Sequence, residues 1–170
     1  FGCGKSGDIF NFYMEMEKVE FRDALKELGQ RAGVEVTTSA PRPPEEDEKR
    51  KRLIEINELA AMWFNHILTN ATQGAAGRAL IEDRKVSPES VQTWKLGFAP
   101  DGWDALLNFM ASRNYTAAEL AEAGLASERD GGGYYDRFRN RLMFPIRDGD
   151  GNTVGFGGRA LGDAQPKYLN

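Results

Sequence analysis

The sequence is short of metal- and disulfide-forming residues: it has one cysteine, Cys3, and one histidine, His66. A lone Cys closes no internal disulfide, and a His with no second His or Cys nearby is read as structural rather than as a ligand or base. No apolar run approaches the length of a membrane span, and no charged-then-apolar leader opens the chain. These absences predict a reducing, cytoplasmic setting with no membrane partner. Net charge is −4 over 170 residues, so total charge gives no reason to expect a nucleic-acid partner. What is present is unevenly placed. From Gly131 onward there are six basic residues (Arg137, Arg139, Arg141, Arg147, Arg159, Lys167) against four Asp, a balance of +2 that leaves −6 for the rest. The basic end is the C-terminal one. At 41% hydrophobic composition the chain can bury a core, as one domain or as a small module plus a domain.

Periodicity divides the chain into three parts. In FGCGKSGDIFNFYMEMEKVEFRDALKELGQRAGVEV a Gly-rich loop leads to an Asp8 N-cap and an aromatic-rich helix. A second helix follows, with Phe21, Ala24, Leu25, Leu28 and Ala32 at helical spacing and Gly33 as its stop. TTSAPRPP carries three prolines and no period, which predicts a linker over 37–44. In EEDEKRKR each acid stands four residues before a base (Glu45/Lys49, Glu46/Arg50, Asp47/Lys51, Glu48/Arg52), the orientation that stabilises a solvated helix face. A long helix is expected from there, with Leu53, Ile56, Leu59, Ala60, Trp63 and Ile67 inward. Further helices are expected around Arg78 to Arg84, after Ser87-Pro88, from Trp103 to Met110, and from the Thr116-x-x-Glu119 capping box to Gly124. The middle therefore reads as all-helical. After Asp130 the period changes: RLMFPIRD and NTVGFGGRA are strand-like runs joined through Gly149-Asp150-Gly151. The fold class expected is α+β: a short helical segment, a linker, then a mainly helical subdomain ending in a small antiparallel sheet.

Three motifs invite a chemical reading. Gly155-x-Gly157-x-x-Ala160 fits the dinucleotide fingerprint formally, but that motif needs a following helix and an acid about 20 residues on. Only ten residues follow Ala160, so the match is accidental. Gly157-Gly158 can instead let backbone approach a partner, with the Arg159 guanidinium beside bare N–H groups suited to phosphate. A β-bulge with a surface Arg fits equally well. Phe-Gly-Cys-Gly around Cys3 reads as a packed or surface thiol, or as half of a zinc knuckle. DRFRNR places Arg137, Arg139 and Arg141 on one face if extended, beside Tyr134 and Tyr135. Phosphates take such charges and bases stack on such rings, although edge-strand arginines that block aggregation give the same pattern.

Taken together these stretches carry a family resemblance. FGCGKSGDIFNFYMEMEKVEFRDALKELGQRAGVEV resembles the end of the zinc-binding domain of bacterial replicative DNA primase, and YYDRFRNRLMFPIRDGDGNTVGFGGRALGDAQPKYLN resembles the start of that enzyme's RNA polymerase core. The likeness covers nearly the whole chain in the family's order. It implies residues 1–36 as the C-terminal part of a zinc-binding domain, 37–44 as linker, and 45–170 as the N-terminal subdomain of the polymerase core, without the TOPRIM fold that follows in the family. It implies a primase that makes RNA primers on single-stranded DNA by two-metal phosphoryl transfer between ribonucleotides, with magnesium or manganese in the core and zinc in the first domain. The replicative helicase would be a further partner, through a domain not present here. By motif position, Arg159 in FGGR, Lys167 in PKYLN, Arg141 before LMFP and Arg84 in ALIEDRKVS look like the basic residues that face template or nucleotide phosphates. The family more often has Tyr-Leu before the residue matching Arg84 and Gly after it. Cys3 would be one of four zinc ligands.

The resemblance also implies that the other three zinc ligands and the acidic cluster for the catalytic metals lie outside this stretch, which reads as a fragment. Alone it is expected to hold no stoichiometric zinc and to make no primers. Two other classes fit the residues: a non-catalytic single-strand-binding module of plasmid or phage origin, and an interaction module whose arginines are structural. Salt-dependent single-strand binding separates the last from the others.

Overall fold

The computed structural model describes residues 6–34, 36, 43–162 and 164–170. Cys3 and most of the predicted linker lie outside the described residues. The chain divides into two compact units, Phe1–Glu46 and Asp47–Asn170.

In the first unit, α1 (Ile9–Glu17) starts where Asp8 accepts the N–H groups of Phe10 and Asn11, both at 3.0 Å. That is the N-cap read from the sequence. α2 (Phe21–Arg31) ends at Gly33, whose φ of +66° suits glycine. The pair is held by the Phe10 and Phe21 rings, 5.4 Å apart, and by the Tyr13 hydroxyl, which donates to Glu27 and accepts from Arg31. Gly29 is required for close packing, because a Cβ there would lie 2.1 Å from Val36 Cγ2.

The second unit is built on α3 (Pro44–Asn70) from Asp47 onward, whose buried side chains are Ile56, Asn57, Ala60, Ala61, Phe64, Ile67 and Leu68. Its middle turns, Ile56 to Phe64, pack in one core cluster with Leu106, Met110, Leu120, Leu125, Phe138, Met143 and Phe156. Its last turns join a second with Val91, Leu96, Phe98 and Leu142. Of the four expected i,i+4 pairs, Asp47–Lys51 forms at 2.8 Å. The other three bases reach elements beyond the helix: Lys49 to Glu122, Arg50 to Asp148 at 3.1 Å, and Arg52 to Glu119 at 2.9 Å, while Arg52 also pairs with Glu55 in α3 at 3.5 Å. The face is solvated as expected, with these bases 40–71% exposed, and its charges also tie α3 to distant elements.

The predicted short helices form as α4 (Ala75–Asp83), α5 (Pro88–Thr93), α6 (Ala105–Ala111) and α7 (Ala117–Glu122). Ser87 caps α5, and the Thr116/Glu119 capping box is complete at α7. Its carboxylate also receives Arg52, so the Glu119 carboxyl is held down to about 2, first by the Thr116 N–H and then by Arg52 and the Thr116 hydroxyl.

The expectation of an all-helical middle fails at β1 (Gly97–Ala99), which pairs with β4 (Arg141–Arg147). Three residues are too few to show a period, and the strand exists because Gly97 lets it lie on α3: a Cβ there would stand 2.4 Å from the Phe64 Cβ. The main sheet is antiparallel, in the order β1-β4-β5-β6, with β5 over Thr153–Ala160 and β6 over Tyr168–Leu169. β2 (Ala126–Glu128) and β3 (Tyr134–Asp136) form a separate two-stranded ribbon. The β4–β5 hairpin closes through an Asp148 turn, in which its carboxylate accepts the Asp150 and Asn152 N–H groups at 3.0 and 2.9 Å, while Gly151 takes φ +85°. The architecture is α+β.

Candidate nucleic-acid interface

Register decides how the basic residues are presented. β4 and β5 pair without interruption from Arg141↔Ala160 to Ile146↔Gly155, and the irregularity falls at Ile146/Arg147. Arg159 therefore stands on a regular strand, and the bulge reading of FGGR is set aside. The dinucleotide reading falls with it, since Gly155 to Ala160 continue as strand. Residues paired across strands share a face. One face carries Phe98, Leu142, Arg159 and Tyr168 in a row. α4 packs on this face, with Leu80 and Ile81 beside Phe98 and Leu142. Arg84 caps the end of that helix, exposed, 3.6 Å from the Asp83 carboxylate.

The two glycines of FGGR have different tasks. A Cβ at Gly158 would lie 2.8 Å from Phe138 and 3.1 Å from the Arg141 side chain, so this glycine serves internal packing. Gly155 has nothing within 4 Å of a Cβ, and Gly157 meets one atom, Asn170 Oδ1, at 3.4 Å. The open approach expected for Gly157-Gly158 exists at Gly157 and Gly155, on the Arg159 face.

Arg137, Arg139 and Arg141 do not share one strand face, because residues 137–140 link β3 to β4 irregularly. They go three ways. Arg137 donates to the Asn170 carbonyl at 2.8 Å. The Arg139 guanidinium lies 4.1 Å from the centre of the Trp103 ring and 5.1 Å from that of Tyr135, with Arg129 on the same two rings at 5.7 and 5.6 Å. Arg141 is only 5% exposed and donates to the carbonyls of Pro166 at 2.7 Å and Gly158 at 3.3 Å. Burial, and then the Arg139 charge, lower the Arg141 guanidinium below its ordinary value. Lys167 is exposed, and its carbonyl accepts the Ala160 N–H at 2.9 Å. His66, near the apolar face of α3 in sequence, is exposed and pairs with Asn70 at 3.3 Å.

Trp103 and Arg129 were not singled out by motif reasoning, yet they complete a surface group: two rings 5.5 Å apart, edge to face, flanked by two arginines. Trp103 is 58% exposed despite its size. Its place is fixed by Asp136, which donates its N–H to the Trp103 carbonyl at 2.7 Å while its buried carboxylate accepts the Leu106 and Leu107 N–H groups at 2.8 and 3.0 Å. Asp136 thus caps α6 from a distant strand, where the local N-cap Asp104 makes no side-chain cap. Burial raises its carboxyl above the ordinary value, opposed by those N–H groups. Cationic planes stacked on open rings next to further basic residues can hold a phosphate chain while bases stack.

The family described as DNA primase catalytic core, N-terminal domain, matches residues 63–170. The chain belongs to the DNA primase family. A second description, CHC2 zinc finger, matches residues 1–43. DNA primase of Halalkalibacterium halodurans is 43% identical over 171 residues, covering 100% of this chain and 28% of that protein. A solved DnaG primase catalytic domain bound to ssDNA superposes with a TM-score of 0.68 at 37% identity, over 73% of this chain and 40% of the other. The RNA polymerase domain of Mycobacterium tuberculosis primase DnaG, solved with a double-stranded DNA oligomer bearing a 6-nucleotide overhang, gives 0.65 at 34%, over 71% and 38%. The chain spans under a third of the length of the curated relatives it matches. Since these relatives are primases, the stand-alone plasmid or phage module is not favoured. Among the described residues no three His, Cys, Asp or Glu side chains group so as to hold a metal, and no helix is long and apolar enough to cross a membrane.

Proposed function

We propose that this chain is the template-handling part of a DNA primase that lays RNA primers on single-stranded DNA. The observation that carries the reading is the Trp103–Tyr135 pair, Trp103 exposed and Tyr135 half-buried, flanked by Arg129 and Arg139, in a chain of this family. In the whole enzyme, zinc would be held in the finger region with Cys3 among its ligands, and magnesium or manganese would serve phosphoryl transfer in the polymerase core. The described residues provide no ligand set for either.

The chain's own residues bind and orient. Arg129 and Arg139 neutralise phosphates beside rings on which bases stack. Arg159 and Lys167 take the phosphates of the strand or of an incoming ribonucleotide, over the open backbone of Gly155 and Gly157. Arg84, exposed at the end of α4, is read as a further phosphate contact. The replicative helicase and a cytoplasmic location complete the proposal for the intact protein.

The test is Arg159→Ala and Lys167→Ala in the intact primase, with binding of a labelled oligodeoxythymidylate followed across salt concentrations. Each change should weaken binding without sequence preference and flatten the log–log salt slope by about 0.7, the single-strand value per phosphate. Melting should move by less than about 0.5 kcal/mol, as is usual for surface positions. Variants that melt early and bind normally would make these residues structural.

A further inference from the structure

Arg141 was expected to face phosphate, but its geometry fits a different task. The side chain leaves β4 on the face shared with Met143 and Gly158, not on the Arg159 face. It is nearly sealed from solvent, and its donors end on two backbone carbonyls, Pro166 at 2.7 Å and Gly158 at 3.3 Å. A buried guanidinium is costly, and carbonyl partners recover part of that cost only while the loop stays in place.

What the loop carries is Lys167. The peptide unit joining it to Pro166 is held by Arg141 on one side, and the Lys167 carbonyl is held by the Ala160 N–H at 2.9 Å on the other. The next residue, Tyr168, enters β6 directly opposite Arg159. Arg141 also packs where a Cβ on Gly158 would come within 3.1 Å of it, so strand and loop are fitted around the same side chain. A contact on either side of this residue defines where its backbone lies, and its side chain is exposed.

We infer that Arg141 is a positioning residue: it acts on nucleic acid through Lys167, by latching the Pro166 carbonyl to β5, and makes no phosphate contact itself. This rests on the reading of Lys167 as a phosphate-binding residue.

The test separates charge from geometry. Arg141→Lys keeps the positive charge but loses the planar fork that reaches two carbonyls. In the intact primase, Arg141→Lys, Lys167→Ala and the double variant are titrated with labelled oligodeoxythymidylate at several salt concentrations. Arg141→Lys should lose the same fold in affinity as Lys167→Ala and flatten the salt slope by the same amount, about 0.7, although no charge has been removed. The double variant should be no worse than either single one. A merely structural arginine would not make the slope track that of Lys167→Ala.

Two results overturn the inference in distinguishable ways. If Lys167→Ala weakens binding while Arg141→Lys binds as wild type, or if the double variant loses the product of the single effects, the latch is wrong and the proposed function stands. If Lys167→Ala itself changes nothing, the assignment of Lys167 fails and takes the latch with it. Should Arg141→Lys not fold, Arg141→Gln, which keeps an amide donor without the charge, enters the same cycle. There, losses in affinity and slope additive with those of Lys167→Ala would refute the latch.

Discussion

Replacing Trp103 by alanine separates binding from folding more sharply than any other single change on this surface. In the free protein the ring is 58% exposed and its main partners are Arg139 at 4.1 Å, Arg129 at 5.7 Å and the edge of Tyr135 at 5.5 Å. Cation–π contacts at exposed sites contribute about 0.5–1 kcal/mol. The loss of stability should therefore be about 1 kcal/mol, a fall of about 2–4 °C in Tm for a domain of this size. Stacking of one base on an aromatic residue is worth about 1–3 kcal/mol by alanine substitution, which predicts a loss of single-strand affinity of about 5- to 150-fold. Because tryptophan carries no charge, the salt slope should stay that of wild type. Fluorescence anisotropy of a labelled oligodeoxythymidylate with the intact primase, at several salt concentrations, reads both quantities. Trp103→Phe, which keeps a ring face, should recover part of the affinity. An unchanged Kd, or a slope lowered as though a phosphate contact had gone, would refute the assignment of Trp103 as a base platform.

Two further predictions concern the frame. Glu119 has its folded-state carboxyl held down to about 2, so it adds stability above its ordinary value near 4.5 that is lost as pH falls through about 2. Urea melts should show wild type ahead of Glu119→Gln, which keeps a capping-box acceptor but loses the charge, at pH 7 by about 0.2–1 kcal/mol, the worth of a surface ion pair, with the gap closing as pH falls from 4.5; a gap independent of pH would contradict the charge argument. Gly158→Ala should cost about 1–3 kcal/mol by overpacking Phe138 and the Arg141 stem, whereas Gly155→Ala, with nothing within 4 Å, should change little in thermal melts. Equal losses at the two glycines would mean that strand propensity, not packing, governs them.

The parts of this fold legible in the sequence are those governed by contacts within a few residues. The Asp8 and Ser87 caps and the Thr116/Glu119 box each pair a side chain with backbone two or three positions away, so type and spacing reveal them, and Gly149-Asp150-Gly151 marks the hairpin turn. β1, β6 and the β2–β3 ribbon were not legible, because each is two or three residues long and exists through a distant partner. The same holds for charges: Lys49, Arg50 and Arg52 have acids at the favourable helical spacing, but Glu122, Asp148 and Glu119 come to them from α7 and the hairpin turn. At the interface, motif position brought Arg159 and Lys167 forward; Lys167 is exposed and Arg159 half-buried. Trp103 gave no signal, as it looks like an ordinary helix-start aromatic until β3 brings Tyr135 beside it. Arg141 did carry one: alternation along RLMFPIR puts it on the same face as Met143, which is the core side.

The central claim is that a single strand runs over the Trp103–Tyr135 surface and the Arg159 face of the sheet. Photo-crosslinking tests it most directly, using the intact primase and single-stranded DNA that carries 5-iododeoxyuridine, a label that reacts with aromatic side chains in contact. Peptide mapping should place the crosslinks at Trp103, Tyr135 or Tyr168. Crosslinks confined to α1 and α2, at rings such as Phe12 or Phe21, with none in residues 97–170, would contradict it.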